Sequence, residues 1–221
     1  MYEQIQDVED DKIESLLKQY VGTKEWGEET LEVAHYQIEK ICHKRDLPTK
    51  ISQVAKAIYK RSLKKRVIQR HRLCDLTCGA VYAACRTQNE PYSAAEIARA
   101  GEIGKGPLKR TFSDLVENLD LKAGPVDSRD YIPRYAEELD LSNKVEETAI
   151  EILDLSEEHG LYSGKSPTAF AASALYVSCL LNNEKKTQRE VADVSRAGVK
   201  TIRNGYQEQI ELLASEGEYD F

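Results

Sequence analysis

The chain has 221 residues, 41% of them hydrophobic, and its 38 acidic and 31 basic side chains leave a net charge of −7. No apolar run nears the roughly 20 residues of a membrane span, and the opening MYEQIQDVEDDK lacks the apolar stretch of a signal peptide, so the default is a cytoplasmic protein with no membrane partner. Five cysteines (42, 74, 78, 85, 179) with no C-x-x-C spacing predict reduced, buried thiols and no disulfide framework.

Residues 1–28 read as an acidic N-terminal segment with one helix, Ile13–Tyr20. Residues 1–32 hold ten acids and three bases, which accounts for the whole net charge. From Glu29 the apolar spacing turns helical, with Leu31, Ala34, His35, Ile38 and Ile41 on one face. Residues 47–74 then carry nine Lys/Arg and no acid: Lys50, Lys56, Lys60, Arg61, Lys64, Lys65, Arg66, Arg70 and Arg72. The plain reading of that run is a solvated helix end, and the functional one a phosphate-facing patch. An alanine-rich helix follows, and Ser93-Ala-Ala-Glu96 is a capping box, in which hydroxyl and carboxylate each satisfy an orphan backbone N–H. Residues 122–127 read as a linker. Ser166-Pro167 is a cap followed by proline at the first helical position. Thr187-Gln-Arg-Glu190 is a second capping box; it opens a short helix, Thr187–Ser195, that passes through a turn, Arg196–Val199, into a longer helix, Lys200–Leu213. That is a helix-turn-helix pattern, although most helix pairs of this shape serve packing alone. Residues 216–221 form a tail, and no segment reads as a strand.

The chain also repeats itself at an offset of 94 residues without a gap. Ala80-Val-Tyr-Ala-Ala-Cys85 returns as Ala174-Leu-Tyr-Val-Ser-Cys179; Asn89-Glu90, Glu96 and Ala98 return as Asn183-Glu184, Glu190 and Ala192; and Asp46-Leu47, Ala55 and Ile58 return as Asp140-Leu141, Ala149 and Ile152. A unit this long is a duplicated domain and not a solenoid repeat. The expectation is an all-α protein of two tandem five-helix domains, 29–121 and 128–215, each ending in a helix-turn-helix-like pair. Two such domains suggest a saddle or clamp.

Several motifs fail on inspection. Gly160-Leu-Tyr-Ser-Gly164-Lys165-Ser166 has three residues between its glycines where a phosphate-binding P-loop needs four, and Gly101–Pro107 has Gly106 where a hydroxyl is required. His71, Cys74 and Cys78 share a helix face, but seven residues rise roughly 10 Å, too far for one tetrahedral metal. No catalytic constellation can be assembled, so no metal, cofactor or enzymatic activity is expected.

The stretch Gly160-LYSGKSPTAFAASALYVSCLLNNEKKTQREVADVSRAGVKTIRNGYQE-Gln209 resembles the second cyclin-like repeat of archaeal transcription factor B, the relative of eukaryotic general factor IIB. Ala80-VYAAC-Arg86, Tyr92-SAAEIAR-Ala100 and Pro125-VDSRDYIPRYAEELDL-Ser142 match the first repeat and the linker region, so the resemblance covers about residues 29–214. It implies paired five-helix cyclin folds that bind TATA-binding protein and promoter DNA, the second repeat reading the B-recognition element from the major groove. Carried over, Arg203 contacts bases with Lys200, Thr201 and Asn204 beside it, while Lys165, Ser166, Thr187, Gln188 and Arg189 hold phosphates. In the first repeat Arg61, Lys64, Lys65, Arg66, Arg70, Arg72, Lys105, Lys109 and Arg110 would face DNA or TATA-binding protein.

The departures are specific. The family's zinc ribbon, which docks RNA polymerase, has no counterpart before Cys42. If Met1 is the natural start, the chain is expected to regulate or compete at promoters; if it is the core of a longer chain, it is an ordinary initiation factor. Gly104, Gly106 and Pro107 are expected to disturb the first helix-turn-helix. Lys200 replaces a usual valine, and Gly205 a usual phosphate-contacting arginine. A monomer, cytoplasmic and nucleoid-associated, is expected. The alternative is a cyclin-like adaptor that binds proteins and not DNA.

Overall fold

The computed structural model describes residues 28–65, 71–124 and 126–217. The expected helix Ile13–Tyr20 and the candidate residues Arg66 and Arg70 lie outside them. Among the described residues there are ten α-helices and no strand. The chain divides into two compact units, Met1–Pro125 and Val126–Phe221.

The first unit contains α1 (Glu28–His43), α2 (Thr49–Lys64), α3 (Leu73–Thr87), α4 (Ala94–Ala100) and α5 (Lys105–Leu119). The second contains α6 (Ile132–Glu138), α7 (Asn143–Glu158), α8 (Pro167–Leu181), α9 (Gln188–Ser195) and α10 (Val199–Glu216). In each unit the most apolar helix is central: α3 and α8 are buried almost throughout and the other helices pack on them. Val33, Ile38, Ile51, Tyr59, Leu76, Ile97, Leu108 and Leu115 fill the first core, and Tyr135, Val145, Ile152, Phe170, Leu175, Ile202 and Leu213 the second.

The 94-residue register extends to the backbone. Helices α2, α3, α4 and α5 start at 49, 73, 94 and 105, and α7, α8, α9 and α10 at 143, 167, 188 and 199. Left-handed residues that stop the helices recur in step: Asp46 with Asp140, Asn89 with Asn183, and Glu102 with Arg196, all at φ between 48° and 57°. Asp and Asn tolerate that conformation readily. The first helix is where the units differ. α1 runs for 16 residues, whereas its counterpart is a 3₁₀ turn, Arg129–Tyr131, followed by the seven-residue α6. Pro133 is the cause: 94 residues after Glu39, mid-α1, it cannot sit inside a helix but suits a first turn, so α6 begins at Ile132. Arg129 anchors the turn by ion pairs to Asp127, Asp154 and Glu157. Burial works against its charge, but these carboxylates outweigh it and raise its pKa.

Candidate nucleic-acid interface

In the second unit α9 and α10 form a helix-turn-helix. The Thr187 capping box starts α9: Glu190 Oε2 accepts from Thr187 N at 2.7 Å, and Glu190 N donates to Thr187 Oγ1 at 3.2 Å. The Thr187 hydroxyl and then its backbone N–H hold the Glu190 carboxyl below the usual range. Arg196 turns left-handed (φ 56°) and Gly198 caps α10, which runs three residues beyond the expected end. Val191, Ala192 and Ser195 of α9 and Ile202, Gly205, Gln209 and Leu213 of α10 are buried, which fixes the outward face. Lys200, Thr201, Arg203 and Asn204 are exposed on the first two turns of α10, and Arg189 is exposed on α9. Among the described residues Arg189, Lys200 and Arg203 have no ion-pair partner, so their charge is available to an external group.

The start of α10 faces the start of α8 across a groove of about 400 Å³, which brings Lys165 and Ser166 together with Lys200, Thr201 and Asn204. Both helices begin without a capping side chain. Ser166 Oγ instead meets Thr168 Oγ1 at 2.9 Å, and the first intrahelical bond of α8 is Phe170 N to Ser166 O at 2.9 Å. The amides of Thr168 and Ala169 precede that bond, as those of Val199 and Lys200 precede Thr201 N to Gly198 O in α10. Such orphan N–H groups suit an anion. Lys165 lies 5.6 Å from the Phe170 ring centre and is ion-paired to Glu208 of α10.

Gly205 lines the floor of the same groove. It is buried at the α8–α10 crossing, where a Cβ would lie 2.3 Å from Ser173 Oγ. Ser173 in turn donates to Ala169 O and Ile202 O at 2.9 and 3.3 Å.

In the first unit the expected disturbance of the helix pair does not occur. α5 begins at Lys105 and passes through Gly106 and Pro107 unbroken, because first-turn N–H groups have no intrahelical acceptor and proline loses nothing there. Lys105, Lys109 and Arg110 are exposed, the last two standing 94 residues before Arg203 and Asn204. Lys64 and Lys65 are also exposed at the end of α2. Two other candidates are committed internally. Arg61 donates to Leu119 O at 2.9 Å, closing the end of α5. Arg72 forms a fork with Asp75 (3.0 and 3.2 Å), whose hydrogen bond and charge raise the guanidinium pKa. His71 is buried between Asp114 Oδ2 (2.8 Å) and Thr111 Oγ1 (3.1 Å). With a carboxylate able only to accept, Nε2 carries a proton.

The family profile described as "Transcription factor TFIIB repeat" matches residues 27–118 and again 121–212, nearly the whole chain. The chain belongs to the TFIIB repeat family. It is 41% identical over 197 residues to "Transcription initiation factor IIB 7" of Halobacterium salinarum, covering 89% of this chain and 61% of that protein. It is 38% identical to "Transcription initiation factor IIB" of Pyrococcus furiosus (85% and 63% covered) and 37% identical to that of Archaeoglobus fulgidus (86% and 58%). The chain thus spans about three fifths of the length of these curated relatives. Among solved structures a viral cyclin of herpesvirus saimiri aligns over 84% of each chain at 13% identity, with a TM-score of 0.35 that carries no structural argument.

The two TFIIB repeats thus correspond to the two all-α units, and the curated relatives are named as transcription initiation factors and not as enzymes. The second-repeat candidates form two groups: Lys165, Ser166, Lys200, Thr201 and Asn204 line the groove, while Thr187, Gln188, Arg189 and Arg203 lie outside its lining. Two groove residues, Ser173 and Glu208, give no signal of their own in the sequence. They stand 94 residues after Gly79 and Asp114, the equivalent positions of the first repeat.

Proposed function

We propose that these two repeats form the promoter-binding core of a transcription-initiation-factor-B-like protein, which binds TATA-binding protein and reads DNA through the start of α10. The observation that carries this reading is the exposed and unpaired set Lys200, Thr201, Arg203 and Asn204 on the first two turns of the second helix of a helix-turn-helix. In that geometry the N-terminal residues of the second helix reach base edges in the major groove. Arg203 would bind guanine O6 and N7 in two-pronged fashion, and Lys200 and Asn204 would contact neighbouring edges. Arg189, beside the α9 cap, and Lys165, beside the α8 start, suit the flanking phosphates. In the first repeat Lys64, Lys65, Lys105, Lys109 and Arg110, which have no ion-pair partner among the described residues, offer charge to DNA or TATA-binding protein. The exposed Arg61 and Arg72 would do so while also bonded to Leu119 O and Asp75.

The test is binding of Arg203→Ala to a panel of duplexes differing by one base pair within the upstream element. On the preferred site the loss should be about 1–3 kcal/mol, with preference flattened at one position. An equal loss on every duplex would reduce Arg203 to a phosphate contact, and no change on any of them would remove α10 from the interface.

A further inference from the structure

The ion pair between Lys165 and Glu208 has a counterpart 94 residues earlier, between His71 and Asp114. In both repeats a nitrogen-bearing side chain just ahead of the central helix meets an acid on the last helix of the repeat. The surroundings differ. In the first repeat His71 is buried, its second nitrogen is taken by Thr111, and Thr111 fills the seam between α3 and α5. In the second repeat the residue in place of Thr111 is Gly205, nothing seals the pair, and Lys165 and Glu208 both border the groove, with side chains 27% and 45% exposed.

We propose that Glu208 acts as an internal counterion that occupies Lys165 in the free protein and is exchanged for a backbone phosphate when DNA binds. This rests on the DNA reading above and adds a regulated contact to it. The groove supplies what a phosphate needs, namely Lys165, Lys200 and the orphan amides at the starts of α8 and α10. Glu208 is the only acidic residue in the groove lining among the described residues. A pair this exposed contributes little to stability, so its exchange costs little, and a phosphate carries the same charge as the carboxylate it displaces. The displaced carboxylate stays in the groove wall and opposes the incoming phosphate, so Glu208 lowers affinity for every sequence alike. The exchange leaves one uncompensated negative charge in the groove, so the cation given up by the phosphate is retained by the freed Glu208 carboxylate and no net counterion is released.

Three consequences can be measured together by anisotropy titration of a labelled promoter duplex, with TATA-binding protein, across a salt series. Glu208→Gln should bind about three- to tenfold tighter at low salt on specific and unrelated duplexes alike. Its log–log salt slope should steepen by close to one, since Lys165 now releases a counterion. Lys165→Ala should leave the slope nearly unchanged in the parent chain but reduce it by about 0.9 in the Glu208→Gln background. Asp114→Asn serves as the internal control: it removes the partner of the buried His71 and should lower thermal stability without tightening DNA. If Glu208→Gln weakens binding, the carboxylate positions Lys165 for DNA and the exchange is wrong. If Glu208→Gln leaves affinity and slope unchanged while Arg203→Ala still weakens binding, the pair is only a strut and the DNA reading survives. If neither parent nor variants bind any duplex, both readings fall.

Discussion

Gly205 takes its structural meaning from its packing partner. At the α8–α10 crossing Gly205 lies opposite Ser173, and at the equivalent α3–α5 crossing Gly79 lies opposite Thr111, a Cβ on Gly79 falling 2.6 Å from Thr111 Cγ2. Each crossing therefore holds one side chain and one glycine, with the helices trading roles. Gly205→Ala should destabilise the second repeat by about 1–3 kcal/mol through overpacking, measured by urea unfolding. Adding Ser173→Gly should recover part of that loss, since it clears the atoms the new methyl meets; a double variant no better than Gly205→Ala would place the strain elsewhere. The cysteines act at the same scale. Burial pushes the Cys42 thiol from 9.0 up to about 11, and Cys179 likewise. A folded pKa above the unfolded value means that the stability these thiols contribute is full below about pH 9 and is lost as pH climbs toward 11. Thiol reagents at pH 8 should thus react slowly with the folded chain and fast with the urea-unfolded one; equal rates would contradict the burial.

At the scale of elements, the capping boxes were legible in the sequence, but their weight was not. Glu96 and Glu190 close the same motif at equivalent places. Yet the Glu96 side chain is fully buried and also accepts from Arg45 at 2.8 Å, whereas Glu190 stands in solvent. The residue 94 after Arg45 is Leu139, which offers no such partner. Glu96→Ala should therefore cost about 2–4 kcal/mol, because it strands the Arg45 charge as well as breaking a cap. Glu190→Ala should cost less, and a comparable loss in thermal unfolding would contradict this difference in environment. Helix type, order and most boundaries follow from apolar spacing and caps, because those signals are local. The short α6 turns on Pro133, whose effect depends on where a helix can start. The behaviour of Gly106 and Pro107 was misjudged for the same reason: both fall in the first turn of α5, where neither breaks a hydrogen bond. In the candidate site the charged residues of α10 were readable from helix phase. Glu208 and Ser173 were not, since their meaning lies in partners distant in sequence, Lys165 at 43 residues and Gly205 at 32.

For the whole molecule, net charge says less than where the charges stand. In the second repeat α7 exposes Glu147, Glu151, Asp154 and Glu158, while the starts of α9 and α10 expose Arg189, Lys200 and Arg203, with Glu190 beside Arg189. A chain that binds DNA through the latter must lose affinity steeply as salt rises, because each phosphate contact releases counterions. Lys64→Ala combined with Lys65→Ala should weaken binding on every sequence and lower the salt slope if the end of α2 faces DNA; an unchanged slope would remove that patch from the interface. A protein-only adaptor would show no such dependence. The most direct measurement is fluorescence anisotropy of a labelled TATA-box duplex titrated with this chain, with and without TATA-binding protein. A ternary complex is expected that needs both proteins, weakens with salt and is impaired by Arg203→Ala. Absence of any ternary complex at low salt, with TATA-binding protein bound to its site, would contradict it.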